Sequence, residues 1–366
     1  MNLYSEPPEA GDAFRETMLA EVNALVRREQ RKADRRRKQY FKLDFTCPSA
    51  YERSSAKYRE QLKVMLGWPL TDACSEGVPS ASVQSVAKDD LGHISRVLIE
   101  TLPDVHTYGL FFRPPGKGPF PLVISQHGGL GTPELCSGFF GSGNYNDMTR
   151  RVLRRGIAVF APQLHVWGSA FGPEHQKEVI DRRLKQVGGS IAALDLHRVS
   201  RSLDYFEQHR DIDEDRIGMI GLSYGGFYTL YAAALDLRIR VGVSSCYVNN
   251  RLIHDFEEDW VWFNAANQFM DAEVGALICP RPLYVEVGVN DQLLGVRHAR
   301  PEAKRLAAFY QRLGVPEAYH YEEHVGGHEV DKADGGIDFL CRHLGVEAVA
   351  NKPVQRTADR RRRPRR

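Results

Sequence analysis

The stretch Gly221-Leu222-Ser223-Tyr224-Gly225-Gly226 holds the serine best placed to do chemistry. It follows the apolar run Arg216–Gly221 (RIGMIG) and precedes the small-residue segment Tyr224–Leu235. That is the strand-turn-helix setting in which a G-x-S-x-G serine stands on a sharp turn as a nucleophile. Glycine on both sides of Ser223 lets strand and helix approach with no Cβ between them. A hydroxyl at a helix N-terminus also sits where the helix dipole favours developing negative charge. The chemistry such a serine performs is attack on an acyl carbon. A serine hydroxyl needs a base to take its proton, and the base needs an acid to orient it.

Around such an elbow the chain order is Ser, then Asp or Glu, then His. Arg281–Asp291 (RPLYVEVGVND) reads as a strand, Leu283–Val287, running into a loop that carries Asp291. Asp291 therefore leaves the carboxyl end of a strand, while the alternative acid, Glu286, lies within it. His328, in Glu323–Glu329 (EHVGGHE), follows the last strand, and Gly326 and Gly327 give a loop tight enough to reach back over the sheet edge. His324, the alternative base, sits closer to the strand and reads as structural. Gln126–Gly131 (QHGGLG) ends an earlier strand, where a backbone N–H of Gly128 or Gly129, with that of Tyr224, would bind an oxyanion. His127 in the same loop, and Trp260 and Trp262 in the aromatic stretch His254–Phe269, are candidate substrate-binding residues; Glu257, Glu258 and Asp259 beside them read as a solvated turn. His165, His175 and His254 have no partner at metal-ligand spacing and no HExxH occurs, so neither a metal nor another cofactor is expected.

The elements that must position these residues alternate. Val83–Ala87, His93–Leu102, Thr107–Arg113, Pro121–Gln126, Arg155–Pro162, Arg216–Gly221, Arg240–Ser244, Leu283–Val287 and Tyr319–Glu323 read as strands. Ile191–Gln208, Tyr224–Leu235, Ala303–Leu313 and Ile337–Leu344 read as helices, the first with Ala192, Leu196, Val199, Leu203 and Phe206 on one face. The pattern predicts an α/β fold, a mostly parallel sheet flanked by helices, with its site at the strands' carboxyl ends. Three zones follow: a charged helical extension over 1–77, a catalytic domain over 78–346 with lid-like insertions near 131–150 and 247–275, and a basic disordered tail over 347–366.

Composition is that of an ordinary globular protein, 42% hydrophobic and 26% charged, with Lys+Arg 49 against Asp+Glu 47. The basic runs Arg27–Lys38 and Arg360–Arg366 self-repel, which fits a solvated helix face and a free tail better than a patch for nucleic acid or anionic lipid. Six cysteines without a CxxC pair suit free thiols in a reducing compartment. The acidic start MNLYSEPPEAGDAF carries no secretory signal, and no apolar run reaches membrane-spanning length. A cytoplasmic protein without membrane or nucleic-acid partners is expected; the composition is compatible with a homo-oligomer.

From about Pro79 to Val346 the chain resembles the dienelactone hydrolase and acetyl xylan esterase-like branch of the α/β-hydrolase superfamily. The resemblance is carried by QHGG (Gln126–Gly129), DEDRIGMIGLSYGG (Asp213–Gly226), CPRPLYVEVGVND (Cys279–Asp291) and GGHEV (Gly326–Val330). It implies Ser223, Asp291 and His328 as a catalytic triad. Dienelactone hydrolases use a cysteine nucleophile where this chain has Ser223. The elbow is also similar to that of prolyl oligopeptidases, but the chain has neither the length nor the repeats for their propeller. The expected reaction is hydrolysis of a short-chain carboxylic ester, such as an acetyl group on a carbohydrate, with activity falling below about pH 6.5 as the base protonates. A serine peptidase acting on short peptides and a non-catalytic scaffold are the alternatives.

Overall fold

Runs of β-branched and aromatic residues between turn signals set the strands, and the computed structural model gathers nine of them into one sheet. It describes residues 1–72, 77–165, 176–252 and 260–347. The strands are β1 Ala81–Asp89, β2 Gly92–Leu102, β3 Val105–Arg113, β4 Phe120–Gln126, β5 Ala158–Pro162, β6 Ile212–Leu222, β7 Ile239–Ser245, β8 Leu283–Gly288 and β9 Tyr319–His324. Their order across the sheet is β1-β2-β3-β5-β4-β6-β7-β8-β9. The first three form an antiparallel meander joined antiparallel to β5, and from β5 to β9 every pairing is parallel. The fold is that of an α/β-hydrolase, as the alternation predicts.

Ten helices complete the described chain: α1 Asp12–Tyr40, α2 Pro48–Leu66, α3 Pro133–Cys136, α4 Met148–Arg154, α5 Lys177–Gln186, α6 Ile191–Glu207, α7 Tyr224–Leu235, α8 Asp271–Ala276, α9 Val296–Leu313 and α10 Gly335–His343. Both faces of the parallel strands are covered, so these strands read as continuous apolar runs. Leu122 and Ile124 of β4 enter the core under α2, α6 and α7, while Val123 enters the core under α4 and α10. On α2, Tyr51, Tyr58, Leu62 and Leu66 recur at helical spacing and belong to the former core. At the other extreme, β1 is exposed along its whole length as the edge of the meander.

Register brings the site together. Gln126 of β4 lies beside Gly221 of β6, Leu222 beside Ser245 of β7, and Gly288 of β8 beside His324 of β9. The loops that follow these residues therefore open on one edge of the sheet.

Candidate active site

Ser223 is the single residue between β6 and α7, with φ 59° and ψ −117°. A side chain rarely tolerates that backbone, which stores on the order of 1–3 kcal/mol. Packing holds it there. The Ser223 N–H donates to the Ser245 carbonyl at 2.9 Å, and the Phe227 N–H donates to the Ser223 carbonyl at 2.9 Å. The flanking glycines are obligatory: a Cβ on Gly221 would lie 2.3 Å from the Gly225 carbonyl oxygen, and one on Gly225 would lie 2.1 Å from the Gln126 oxygen.

Across the sheet edge, His328 Nδ1 lies 2.8 Å from Asp291 Oδ2. The other carboxyl oxygen of Asp291 accepts the N–H groups of Leu293 and Leu294 at 2.8 and 2.9 Å. Burial pushes the Asp291 carboxyl up, but the His328 ring and the two N–H groups outweigh it, and its pKa lies below the ordinary value. Asp291 is thus an ionised acceptor, which fixes the proton of His328 on Nδ1 and leaves Nε2 as the basic nitrogen. The alternative acid Glu286 is buried inside β8, its Oε1 accepting the Asp331 N–H at 3.0 Å. The alternative base His324 is also buried, and its Nε2 has no partner among the described residues.

The loop before α4 clamps the His328 turn. Asn144 donates to the His328 carbonyl at 3.0 Å and accepts the Val330 N–H at 2.9 Å, while Asn146 donates to Glu329 Oε2 at 2.9 Å. Ser223 and His328 line one cleft of about 520 Å³, with Gly129, Tyr145, Lys177 and Tyr224 among its walls. Among the described residues, one group of metal-ligating types converges: the donor atoms of Cys246, Asp291 and His328 lie within 4.8 Å of one another. Two of them are already spent on each other, and burial pushes the Cys246 thiol up to about 12, leaving it neutral. The Cys246 thiol donates to the Glu329 carbonyl at 3.3 Å and packs behind the pair.

No family model matches the chain. One known protein, "Putative hydrolase YtaP" of Bacillus subtilis (strain 168), is 30% identical over 228 residues, which span 58% of this chain and 74% of that protein. This chain belongs to the α/β-hydrolase superfamily. Solved structures share its fold as well. A "putative acetyl xylan esterase" from Bacteroides fragilis superposes with a TM-score of 0.67 at 14% identity, over 89% of this chain and 90% of that one. A glucuronoyl esterase from Solibacter usitatus gives 0.62 at 16% identity, over 82% and 94%.

Around Ser223, the structure places three groups of residues read from the sequence as follows. The Gly128 N–H donates to the Tyr145 hydroxyl at 2.9 Å, so it is engaged within the fold, whereas the Gly129 N–H has no acceptor among the described residues. His127 does not line the cleft. It is 1% exposed, its Nδ1 donates to the Gly128 carbonyl at 2.8 Å and its Nε2 accepts the Leu164 N–H at 3.1 Å. Burial lowers its pKa to about 4, so it is a neutral brace for the glycine loop. Trp260 and Trp262 are likewise buried and form no part of the cleft wall. Trp260 packs on the Tyr224 ring, with centroids 3.8 Å apart, and Trp262 stacks on Phe227. They support the helix that begins at Tyr224.

Four polar wall residues escape the sequence reading. Asn144 and Tyr145 lie in the glycine-rich, aromatic insertion, whose composition marks it as a pocket former without singling them out. Lys177 and Glu178 open α5, a polar helix with no motif. Lys177 is buried, donates to the Tyr224 hydroxyl and lies 4.2 Å from that ring's centre. His175, His254, Glu257, Glu258, Asp259 and the basic tail from 348 onward lie outside the described residues.

Proposed function

We propose that this hydrolase cleaves carboxylic esters through an acyl-enzyme on Ser223, with His328 as base and Asp291 as its orienting acid. The observation that carries the proposal is a strained elbow serine sharing one cleft with an Asp291–His328 hydrogen bond of 2.8 Å. Ser223 Oγ attacks the acyl carbon while His328 Nε2 takes its proton. The backbone N–H groups of Gly129 and Tyr224 receive the oxyanion, each such donor being worth about 3 kcal/mol in the transition state. The imidazolium returns the proton to the leaving alcohol. Water then attacks the acyl-serine by the same route, releasing the acid and restoring the serine hydroxyl.

Short acyl groups on a carbohydrate are the substrate class this reading favours. The cleft is lined by Asn144, Tyr145, Lys177 and Glu178 together with the apolar Leu130 and Leu293. That mixture suits hydroxyls on the alcohol side and a short apolar acyl chain on the other. The esterase names of the two structural neighbours agree with it. In this reading residues 78–346 perform the chemistry and residues 1–77 buttress them. No helix among the described residues is long and apolar enough to cross a membrane, and the described cysteines are all free, which supports a reducing, cytoplasmic setting.

A panel of acetyl to octanoyl esters, acetylated sugars and aminoacyl amides on wild type and Ser223→Ala tests the proposal. Acetyl esters should turn over fastest, Ser223→Ala should lose at least three orders of magnitude in kcat, and a fluorophosphonate should label wild type alone. Faster amide turnover would move the enzyme to the peptidases. An unlabelled, inactive wild type would make it a scaffold.

A further inference from the structure

The amino-terminal half of α1 projects away from the body of the molecule. Its anchorage lies in its last turns, where Ala33 and Arg37 are buried and Arg37 donates to the Ala266 carbonyl at 2.6 Å. Every residue from 12 to 28 is exposed. Within that stretch Phe14, Met18, Leu19, Val22, Leu25 and Val26 are 76, 66, 63, 57, 44 and 47% exposed. At 100° per residue they fall within an arc of about 140° centred near Val22. A helix about 25 Å long thus carries an apolar stripe that the rest of the fold leaves uncovered.

Charge is divided along the same helix. Asp12, Glu16 and Glu21 stand in its first half, with Glu6 and Glu9 just before it, against Arg15 alone, whereas Arg27, Arg28, Arg31, Lys32, Arg35 and Arg36 dominate its second half. A second copy laid antiparallel, with its Val22 against this one, sets Met18 beside the partner's Val26 and Leu19 beside the partner's Leu25. The same register puts Arg15 opposite the partner's Glu29, both within about 20° of Val22 around the helix. Parallel pairing would stack like charges instead. An anionic membrane fits less well, because the apolar stripe lies among the acidic residues while the basic ones sit beyond it.

We infer that two copies of this chain pair antiparallel through α1, with Val22 on the two-fold axis. The interface is isologous, so each charged contact occurs twice, and the pairing weakens as salt screens those contacts. Sedimentation of the full chain at micromolar concentration should give twice the chain mass. Val22→Asp, which sets two carboxylates face to face, should give a monomer with an unchanged circular dichroism spectrum. In a Cys47→Ser background, Val22→Cys should oxidise to a cross-linked dimer, while Thr17→Cys, on the opposite face of the helix, should not. A monomeric wild type, a dimer indifferent to Val22→Asp, or equal cross-linking at positions 17 and 22 would overturn the inference. So would a monomer that binds anionic vesicles through α1.

Discussion

At the scale of single residues, two rings divide the imidazole chemistry between them. His328 keeps one nitrogen on an ionised carboxylate and the other toward the cleft, whereas His127 has both nitrogens committed to backbone groups. Replacing Asp291 by Asn removes the acceptor that holds the proton on Nδ1. Asp291→Asn should lower kcat by about three to four orders of magnitude with little change in KM. Because the His328 ring and two N–H groups outweigh burial and hold the Asp291 carboxyl below its ordinary value, a single group should shape the acid limb of kcat/KM in wild type, with unit slope. A slope of two, or a loss below tenfold in the variant, would sink the pairing as the catalytic one. His127 makes its mark on stability instead. Its folded pKa of about 4 lies below the 6.5 of an unburied ring, so its contribution is whole above pH 6.5 and is lost as pH falls toward 4. That gap corresponds to about 2 kcal/mol lost between pH 7 and pH 5. His127→Asn should be less stable at pH 7 yet lack that share of the decline, as read by urea unfolding at the two pH values. Equal declines in both proteins would refute it.

At the scale of elements, the elbow works because a strand, a turn and a helix are pressed against a neighbouring strand with no room for a methyl group. Gly225→Ala must drive a Cβ to 2.1 Å from the Gln126 carbonyl, a backbone atom that cannot swing aside. α7 would have to lift from β4, at a cost above the usual 1–3 kcal/mol of overpacking, and Ser223 would move with it. Gly242→Ala on β7 is the matched control, since its Cβ meets Thr229 at an ordinary 3.4 Å. The first variant should lose both activity and several degrees of Tm, and the second should stay within about 1 kcal/mol of wild type; similar behaviour in the two would mean that elbow packing does not set Ser223. This element was legible in the sequence because its glycines, serine and flanking apolar runs are contiguous. The strands were legible for the same local reason, as in Tyr319–Glu323 against the observed Tyr319–His324. The hold on His328 was not, because Asn144 and Asn146 act across more than 180 residues of chain. Nor was α5, whose sequence KEVIDRRLKQ has too few apolar positions for a periodic signal. The role of His127 was also hidden, since the Leu164 N–H that fixes its tautomer lies on another loop.

At the scale of the whole molecule, the amino-terminal helices show how far a charged, weakly periodic zone can be drawn into a core. The sequence suggests an extension lying on the main body. In the fold, Tyr51, Tyr58, Leu62 and Leu66 of α2 share one core with α6 and α7. The decisive polar contact is Arg59, 5% exposed, whose guanidinium donates to the carbonyls of Ala234 at 3.1 Å and Leu277 at 2.9 Å while pairing with Glu52 at 3.0 Å. Ala234 belongs to the last turn of α7, where carbonyls lack intrahelical partners and the helix dipole is negative. A cation from α2 therefore caps the carboxyl end of the helix whose amino end follows Ser223. Arg59→Met keeps most of the apolar bulk and removes the charge, stranding two buried carbonyls. Each charge-assisted hydrogen bond contributes about 1.5–3 kcal/mol, so the variant should lose about 2–4 kcal/mol in urea unfolding with an unchanged m-value. Because Arg59 lines no part of the cleft, kcat of the folded enzyme should remain at the wild-type level. Stability within about 0.5 kcal/mol of wild type would mean that α2 leans on the hydrolase body without holding it together.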